Sequence, residues 1–165
     1  EQVTLARIYG ERDLLIAECL RRQVWNELNP QQLAAMAAVL VYEPRREEET
    51  LEEYQLPRGA FRGAMQTTEK HWQSLDELAE KYRVPRSSRL ATNLAPASFH
   101  WAHGAELERV LEESNLAAGD FVRWCKQVLD VLDQIEKVAE GKFATTARQA
   151  SSSVRRGIVA YSGVG

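Results

Sequence analysis

The chain has 165 residues, of which 44% are hydrophobic and 27% are charged. This length fits one domain with an apolar core, and the formal net charge of −3 excludes the broad cationic surface of a bulk nucleic-acid binder. No apolar run reaches membrane-spanning length and no signal peptide is visible, so we expect a cytoplasmic protein without membrane contact. The chain starts at Glu1 without an initiator methionine, and we therefore expect a fragment of a larger protein.

The first half of the chain predicts two helices. Helical spacing of apolar residues begins after Gly10 and continues to Arg22. Asn29 is a good N-cap for a second helix, with Gln32 placed to complete a capping box. Residues 33–42 are almost wholly apolar, which is typical of a buried helix, so we expect this helix near the centre of the fold.

The middle of the chain is more polar. Residues 46–55 are acidic and nearly devoid of core residues, which predicts a mobile, solvated loop. A long helix is predicted from Leu56-Pro57 to Arg83, where Val84-Pro85 breaks it. Further helices are predicted at 95–104, 105–113, 118–140 and 144–161. Because no segment alternates with the period of a strand, the sequence predicts one all-α domain over 1–165, a bundle of about six to eight helices.

The helix at 118–140 has the strongest pattern in the sequence. Its apolar stripe comprises Phe121, Cys125, Val128, Leu132, Ile135 and Ala139. A second, polar face comprises Arg123, Lys126, Gln127, Asp130, Gln134 and Lys137. Asp120 can cap the start of the helix or complement its dipole, and Gly141 follows its end, where a left-handed residue is needed. We therefore expect one face in the core and the other in solvent.

The sequence contains no catalytic constellation. Cys19 and Cys125 occupy apolar helical positions, as expected of reduced core thiols. His100 and His103 are three residues apart, but no further Cys or His lies near them in sequence, so no metal site is predicted. We expect that this part of the protein is not an enzyme and holds no cofactor.

One short cluster allows a functional interpretation. Arg123, Trp124, Lys126 and Gln127 lie within about one helical turn. Cations bind phosphates, aromatic rings stack on bases, and amides bond to base edges. The alternative is that both cations are solvated or ion-paired and that Trp124 belongs to the core.

Several motifs in sequence order resemble one known family. These motifs are RIYGERDLLIAECL, VWNELNPQQLAAMAAVLVYEPR, FHWAHGAELERVL, AGDFVRWCKQVLDVLDQIEKVA and ARQASSSVRRGIVAYSGV. Together they resemble the DSHCT domain of superkiller-type DExH-box RNA helicases, most of all the bacterial HelY-type members. The resemblance covers nearly the whole chain.

The resemblance implies a C-terminal helical bundle that packs on two upstream RecA-like motor domains, which bind ATP and Mg. The bundle would close one side of a channel for single-stranded RNA or DNA, with a ratchet helix facing the strand. The 118–140 helix matches that helix, which implies strand contact for Arg123, Lys126 and Gln127 and leaves Trp124 in either core or channel. Glu43 and Arg45 form a second, weaker candidate pair. The parent protein would be an ATP-dependent helicase.

The alternative function is a helical interaction module that docks on protein, for example on an RNA-degrading nuclease complex. The negative net charge and the alanine-rich second helix support this alternative.

Overall fold

A computed structural model describes residues 2–43, 51–81 and 90–164 of the chain. These residues form seven α-helices and no β-strand, which confirms the predicted all-α class. The helices are α1 (Gln2–Arg21), α2 (Pro30–Val41), α3 (Ala60–Lys81), α4 (Ala95–Ala102), α5 (Leu107–Ser114), α6 (Ala118–Val138) and α7 (Gly141–Val164). None of the helices in these ranges has the length and apolarity needed to cross a lipid bilayer.

Helix α2 lies at the centre of the bundle, as predicted, and packs against α3, α4, α6 and α7. Every residue from Leu33 to Leu40 is buried. Because its alanine side chains are small, neighbouring helices approach its backbone closely. The buried hydroxyl of Ser98 on α4 donates to the carbonyl oxygen of Ala34 at 2.9 Å.

The start of α2 has the predicted capping box. Asn29 Oδ1 accepts from the backbone N–H of Gln32 at 2.8 Å, and Gln32 Oε1 accepts from the backbone N–H of Asn29 at 2.9 Å. These bonds satisfy two N–H groups that have no partner within the helix. Gln32 Nε2 also donates to the carbonyl oxygen of Arg58 at 2.9 Å, which fixes the segment that leads into α3.

Helices α6 and α7 form an antiparallel pair. The predicted apolar stripe of α6 is buried from Phe121 to Ile135, and α7 buries the predicted stripe Ala147, Ala150, Val154 and Ile158. On the solvent side, Arg148 Nε lies 3.1 Å from Glu136 Oε1. Gly141 adopts the left-handed conformation expected of it, with φ of 60°.

Helix α4 packs closely on α7 through Trp101. Its indole is buried, and Nε1 donates to the carbonyl oxygen of Val154 at 3.2 Å. The ring lies across Gly157, where an added Cβ would stand 2.4 Å from the Trp101 ring. Position 157 therefore has no room for a side chain.

Helices α1 and α3 begin at other residues than predicted. Helix α1 starts at Gln2 and runs through Gly10, because one interior glycine costs only about 1 kcal/mol, too little to end a 20-residue helix. Helix α3 starts at Ala60 and not at Leu56-Pro57. Gly59 precedes it with φ of 79°, a left-handed conformation outside the helix.

The linkers also differ in part from the prediction. Helix α7 starts at Gly141 and not at 144, because the left-handed φ of that residue turns the chain directly from α6 into α7. Of the predicted acidic loop 46–55, residues 51–55 are described, and they include a 3₁₀ turn at Glu53–Gln55. The predicted helix break at Val84-Pro85 lies outside the described residues.

Candidate nucleic-acid interface

The polar face of α6 lies at the surface. Arg123, Gln127, Asp130 and Gln134 are separated by four, three and four residues, so they form one row along the helix. Gln127 is half-buried and the other three are exposed. Lys126 lies beside this row and is also exposed. Both predicted cations are therefore accessible to a ligand in solvent.

Arg123 forms an ion pair within its own helix. Its Nη2 lies 2.7 Å from Asp120 Oδ1, and the side chains of the two residues are 51% and 34% exposed. Because Ala117 occupies the N-cap position, Asp120 complements the first turn by its charge and does not cap it. A pair this exposed contributes about 0–1 kcal/mol to stability. Lys126 has no carboxylate partner among the residues described.

Trp124 is intermediate between the two predicted positions, core and channel. The ring is half-buried and meets Tyr42 edge to face, with ring centroids 5.1 Å apart and an interplanar angle of 67°. Tyr42 is itself buried at the C-cap of α2. The Trp124 side chain also lines a groove. Its position is therefore held by the core while part of its surface faces outward.

That groove lies between α1, the end of α2 and α6, and has a volume of about 460 Å³. Its apolar lining is Ile16, Leu40, Val41, Trp124 and Val131. Its polar lining is Arg12, Asp13, Glu43, Gln127, Asp130 and Gln134. We call this site the α1–α2–α6 groove. Its volume lies within the range of roughly 300–1,000 Å³ that small-ligand pockets occupy.

The predicted site residues fall into two groups. Trp124, Gln127 and Glu43 come together in the α1–α2–α6 groove, although Glu43 is far from the other two in sequence. Arg123 and Lys126 are absent from the groove lining and lie on the solvent side of α6. Arg45 lies outside the described residues.

Sequence reasoning missed Arg12, a buried cation at the base of the groove. The residue is 6% exposed, and its Nη1 donates to the carbonyl oxygens of Val39 and Leu40, the former at 3.5 Å. Its Nη2 lies 3.6 Å from Glu43 Oε1, and its guanidinium carbon lies 5.6 Å from the centre of the Trp72 ring. Arg12 thus satisfies carbonyls at the end of α2 and complements the negative end of the helix dipole.

Two signals in the sequence point to this role. Arg12 precedes Leu15, Ile16 and Cys19 by three, four and seven residues, so it shares the buried stripe of α1. In addition, the last turn of α2 has no basic residue of its own. A cation on an apolar stripe must find buried acceptors, and the open end of a neighbouring helix provides them.

The sequence profile of the DSHCT (NUC185) domain family matches residues 3–162, nearly the whole chain. The chain belongs to the DSHCT family. This assignment agrees with the resemblance noted from the sequence motifs.

Curated relatives of this DSHCT domain are named as helicases. The "Probable helicase HelY" of Mycobacterium leprae is 38% identical, and that of Mycobacterium tuberculosis is 35% identical. Each match covers 94% of this chain and 18% of the relative. The "DExH-box ATP-dependent RNA helicase DExH15 chloroplastic" of Arabidopsis thaliana is 30% identical over 83% of this chain and 12% of its own length. The chain thus spans less than a fifth of each of these relatives.

The cysteines of the DSHCT domain are buried free thiols, as predicted. Burial raises the pKa of the Cys19 thiol to about 11 and that of the Cys125 thiol to about 12. Both are neutral at pH 7, whereas a nucleophilic cysteine reacts as the thiolate. His100 Nδ1 lies 2.7 Å from Glu113 Oε2 and belongs to a surface contact between α4 and α5.

Proposed function

We propose that this DSHCT domain is an accessory domain of an ATP-dependent helicase and that the exposed face of α6 lines the path of a single strand. The observation that supports the proposal is the pair Arg123 and Lys126, two accessible cations on one long, well-anchored helix. Upstream RecA-like motor domains of the parent protein would bind ATP and Mg. The helicase names of the relatives support this assignment.

In this mechanism the motor domains move the strand, and α6 holds it between steps. Arg123 gives up its exposed pair with Asp120 and binds a phosphate, while Lys126 binds a second phosphate. Such contacts are independent of base sequence and weaken with salt. Weak contacts suit the task, because a strand that must slide cannot be bound tightly.

The proposal assigns the phosphates to the solvent face of α6 and not to the groove. Asp13, Glu43 and Asp130 surround the groove opening. A phosphate about 5 Å from a carboxylate near a protein surface is repelled by roughly 3 kcal/mol. The three carboxylates therefore disfavour a phosphate at the groove opening.

Replacing both cations in the parent helicase, as Arg123→Ala with Lys126→Ala, tests the proposal. We expect slower unwinding, and the slope of log affinity against log salt concentration should fall by about 1.4 because two phosphate contacts to a single strand are lost. Strand-binding titrations between low and high salt measure this slope.

The matched control is Lys70→Ala with Arg156→Ala, which removes one lysine and one arginine that are exposed on α3 and α7. The control should leave both the unwinding rate and the salt slope unchanged. Unaltered unwinding by the α6 variant, with its thermal unfolding preserved, would contradict the proposal.

One observation favours docking on protein as a second function of the same domain. The α1–α2–α6 groove combines an apolar floor with carboxylates, a combination that repels a polyanion. Arg123 lies in the same row of α6 as the groove residues Gln127, Asp130 and Gln134, so a docked partner and a bound strand would compete for this part of the helix.

A further inference from the structure

Helix α5 presents an apolar edge beside an acidic row. The helix packs against α4 and α6, and of its eight residues Val110 is fully buried. Leu107 and Leu111 lie one helical turn apart and are half-buried. Glu108 and Glu112 form the next row on the helix and are exposed. We call these two rows the α5 face.

The charges of α5 do not stabilise the helix that carries them. Glu108 and Glu112 are four residues apart, a spacing at which like charges destabilise a helix. Glu112 also lies in the last turn, where the helix dipole disfavours a carboxylate, and that turn has no basic residue. Over residues 106–113, four glutamates and one arginine give a formal charge of 1 − 4 = −3, which equals that of the whole chain.

The cation of α5 does not neutralise the α5 face. Arg109 Nε lies 3.2 Å from Glu113 Oε1, and the other oxygen of Glu113 lies 2.7 Å from His100 Nδ1. Glu108 and Glu112 have no ion pair among the residues that the structure describes. The α5 face therefore remains anionic beside its two leucines.

We propose that the α5 face is a docking site for a cationic amphipathic helix of a partner protein, with arginines in one row and apolar side chains in the next. The arginines would bind Glu108 and Glu112, and the apolar side chains would cover Leu107 and Leu111. Two carboxylates that repel one another in the free domain would then share cationic partners. The charges that weaken α5 alone would stabilise the complex.

Charge complementarity selects this occupant over others. A nucleic-acid strand or an anionic lipid surface would bring phosphates toward Glu108 and Glu112, which repel them. A neutral apolar helix would cover the leucines but would displace water from the carboxylates without replacing it. The α5 face shares no residue with the α1–α2–α6 groove, so this inference does not rest on the proposed strand path.

The test uses a fluorescein-labelled, alanine-based peptide of about 16 residues, a length at which an isolated helix begins to form. The peptide carries Leu-Arg-Ala-Ala-Leu-Arg, a cationic counterpart of Leu-Glu-Arg-Val-Leu-Glu at 107–112. Fluorescence anisotropy during titration with the 165-residue chain measures the affinity, and we expect saturable binding. In the variant Glu108→Gln with Glu112→Gln the affinity should fall by at least about tenfold, because two charge-assisted contacts are lost.

Thermal unfolding of the same variant separates binding from folding. The substitutions remove a like-charge pair and a carboxylate from the last turn of α5, so the unfolding temperature should equal or exceed that of the original chain. A lower unfolding temperature would show that the two glutamates serve the stability of the domain, which contradicts the proposal.

The matched control is Glu27→Gln with Glu140→Gln, which neutralises two exposed glutamates that lie between helices and outside α5. The control changes the net charge by the same amount as the α5 variant. Its affinity for the peptide should stay within about twofold of the original, because the attraction depends on where the carboxylates lie. An equal loss of affinity in both variants would overturn the proposed site.

Two further peptides test the two parts of the proposed partner. Citrulline, the neutral isostere of arginine, should weaken binding by at least about tenfold, and alanine in place of both leucines by at least about fivefold. Undiminished binding of either peptide, or no saturable binding of the first peptide, would overturn the proposal. Crosslinking of a photoreactive single-stranded oligonucleotide to α5 would assign the face to nucleic acid instead. None of these outcomes depends on Arg123 or Lys126, so the α5 face and the strand path succeed or fail separately.

Discussion

The two ends of α2 are stabilised in different ways. At its start, Asn29 and Gln32 bond to one another's backbone within the first turn. At its end, the carbonyl of Leu40 accepts from Arg12, a residue 28 positions earlier that belongs to α1. The first arrangement can form in an isolated segment, whereas the second exists only after α1 has packed. The groove beside Glu43 is therefore a product of tertiary structure.

The largest expected effect on stability is at the C-terminal end of α2, where Arg12 bonds to the carbonyls. Arg12→Ala removes a buried cation from two carbonyls, from Glu43 and from the Trp72 ring. We expect it to lower the free energy of unfolding by about 3 kcal/mol, as loss of one partner from a buried charge network does. Urea unfolding measures the change.

Arg12→Lys is the control, because it keeps the charge but has a single nitrogen in place of the planar fork. Arg12→Lys should lower the free energy of unfolding by less than Arg12→Ala does. If Arg12→Ala unfolds at the same urea concentration as the original chain, the stability of the C-terminal end of α2 does not depend on this residue.

At the N-terminal end of α2, Asn29→Ala removes the capping side chain and should lower the free energy of unfolding by about 1 kcal/mol. Asn29→Gly should lower the free energy of unfolding by only a few tenths of a kcal/mol, since glycine is tolerated at the N-cap. The ends of a 12-residue helix are about 18 Å apart, so the costs of Asn29→Ala and Arg12→Ala should add within about 0.5 kcal/mol. A clear departure from additivity would show that the two ends are coupled.

The smallest expected effect is that of Glu43→Gln. The carboxylate is half-exposed and 3.6 Å from Arg12, so the variant should lower the free energy of unfolding by less than about 1 kcal/mol. Urea unfolding again provides the measurement. A loss as large as that of Arg12→Ala would mean that Glu43, and not the α2 carbonyls, is the main partner of the guanidinium.

Features that depend on neighbouring residues were predictable from the sequence. The capping box at Asn29 and Gln32 follows from residue types three positions apart. The stripe from Phe121 to Ile135 follows from helical periodicity, and the helices together gave the all-α class. In each case the information lies within a few turns of one helix.

Features that depend on distant contacts were not predictable. The sequence left Trp124 in either core or channel, because its position depends on Tyr42 at the end of another helix. The acidic groove likewise requires Asp13 of α1 and Asp130 of α6 to meet, and no local pattern relates them. The cations Arg123 and Lys126 were correctly expected on a polar helix face, but their contact with a strand stays a prediction.

The close contact of Trp101 with Gly157 has a mechanical consequence. Position 157 has no room for a Cβ, so the neighbouring Arg156 and Ile158 cannot take its place against the indole. Helix α7 is thus unable to slide along α4 by one residue. We therefore expect that a force applied along α7 would move α4 with it, as one rigid body.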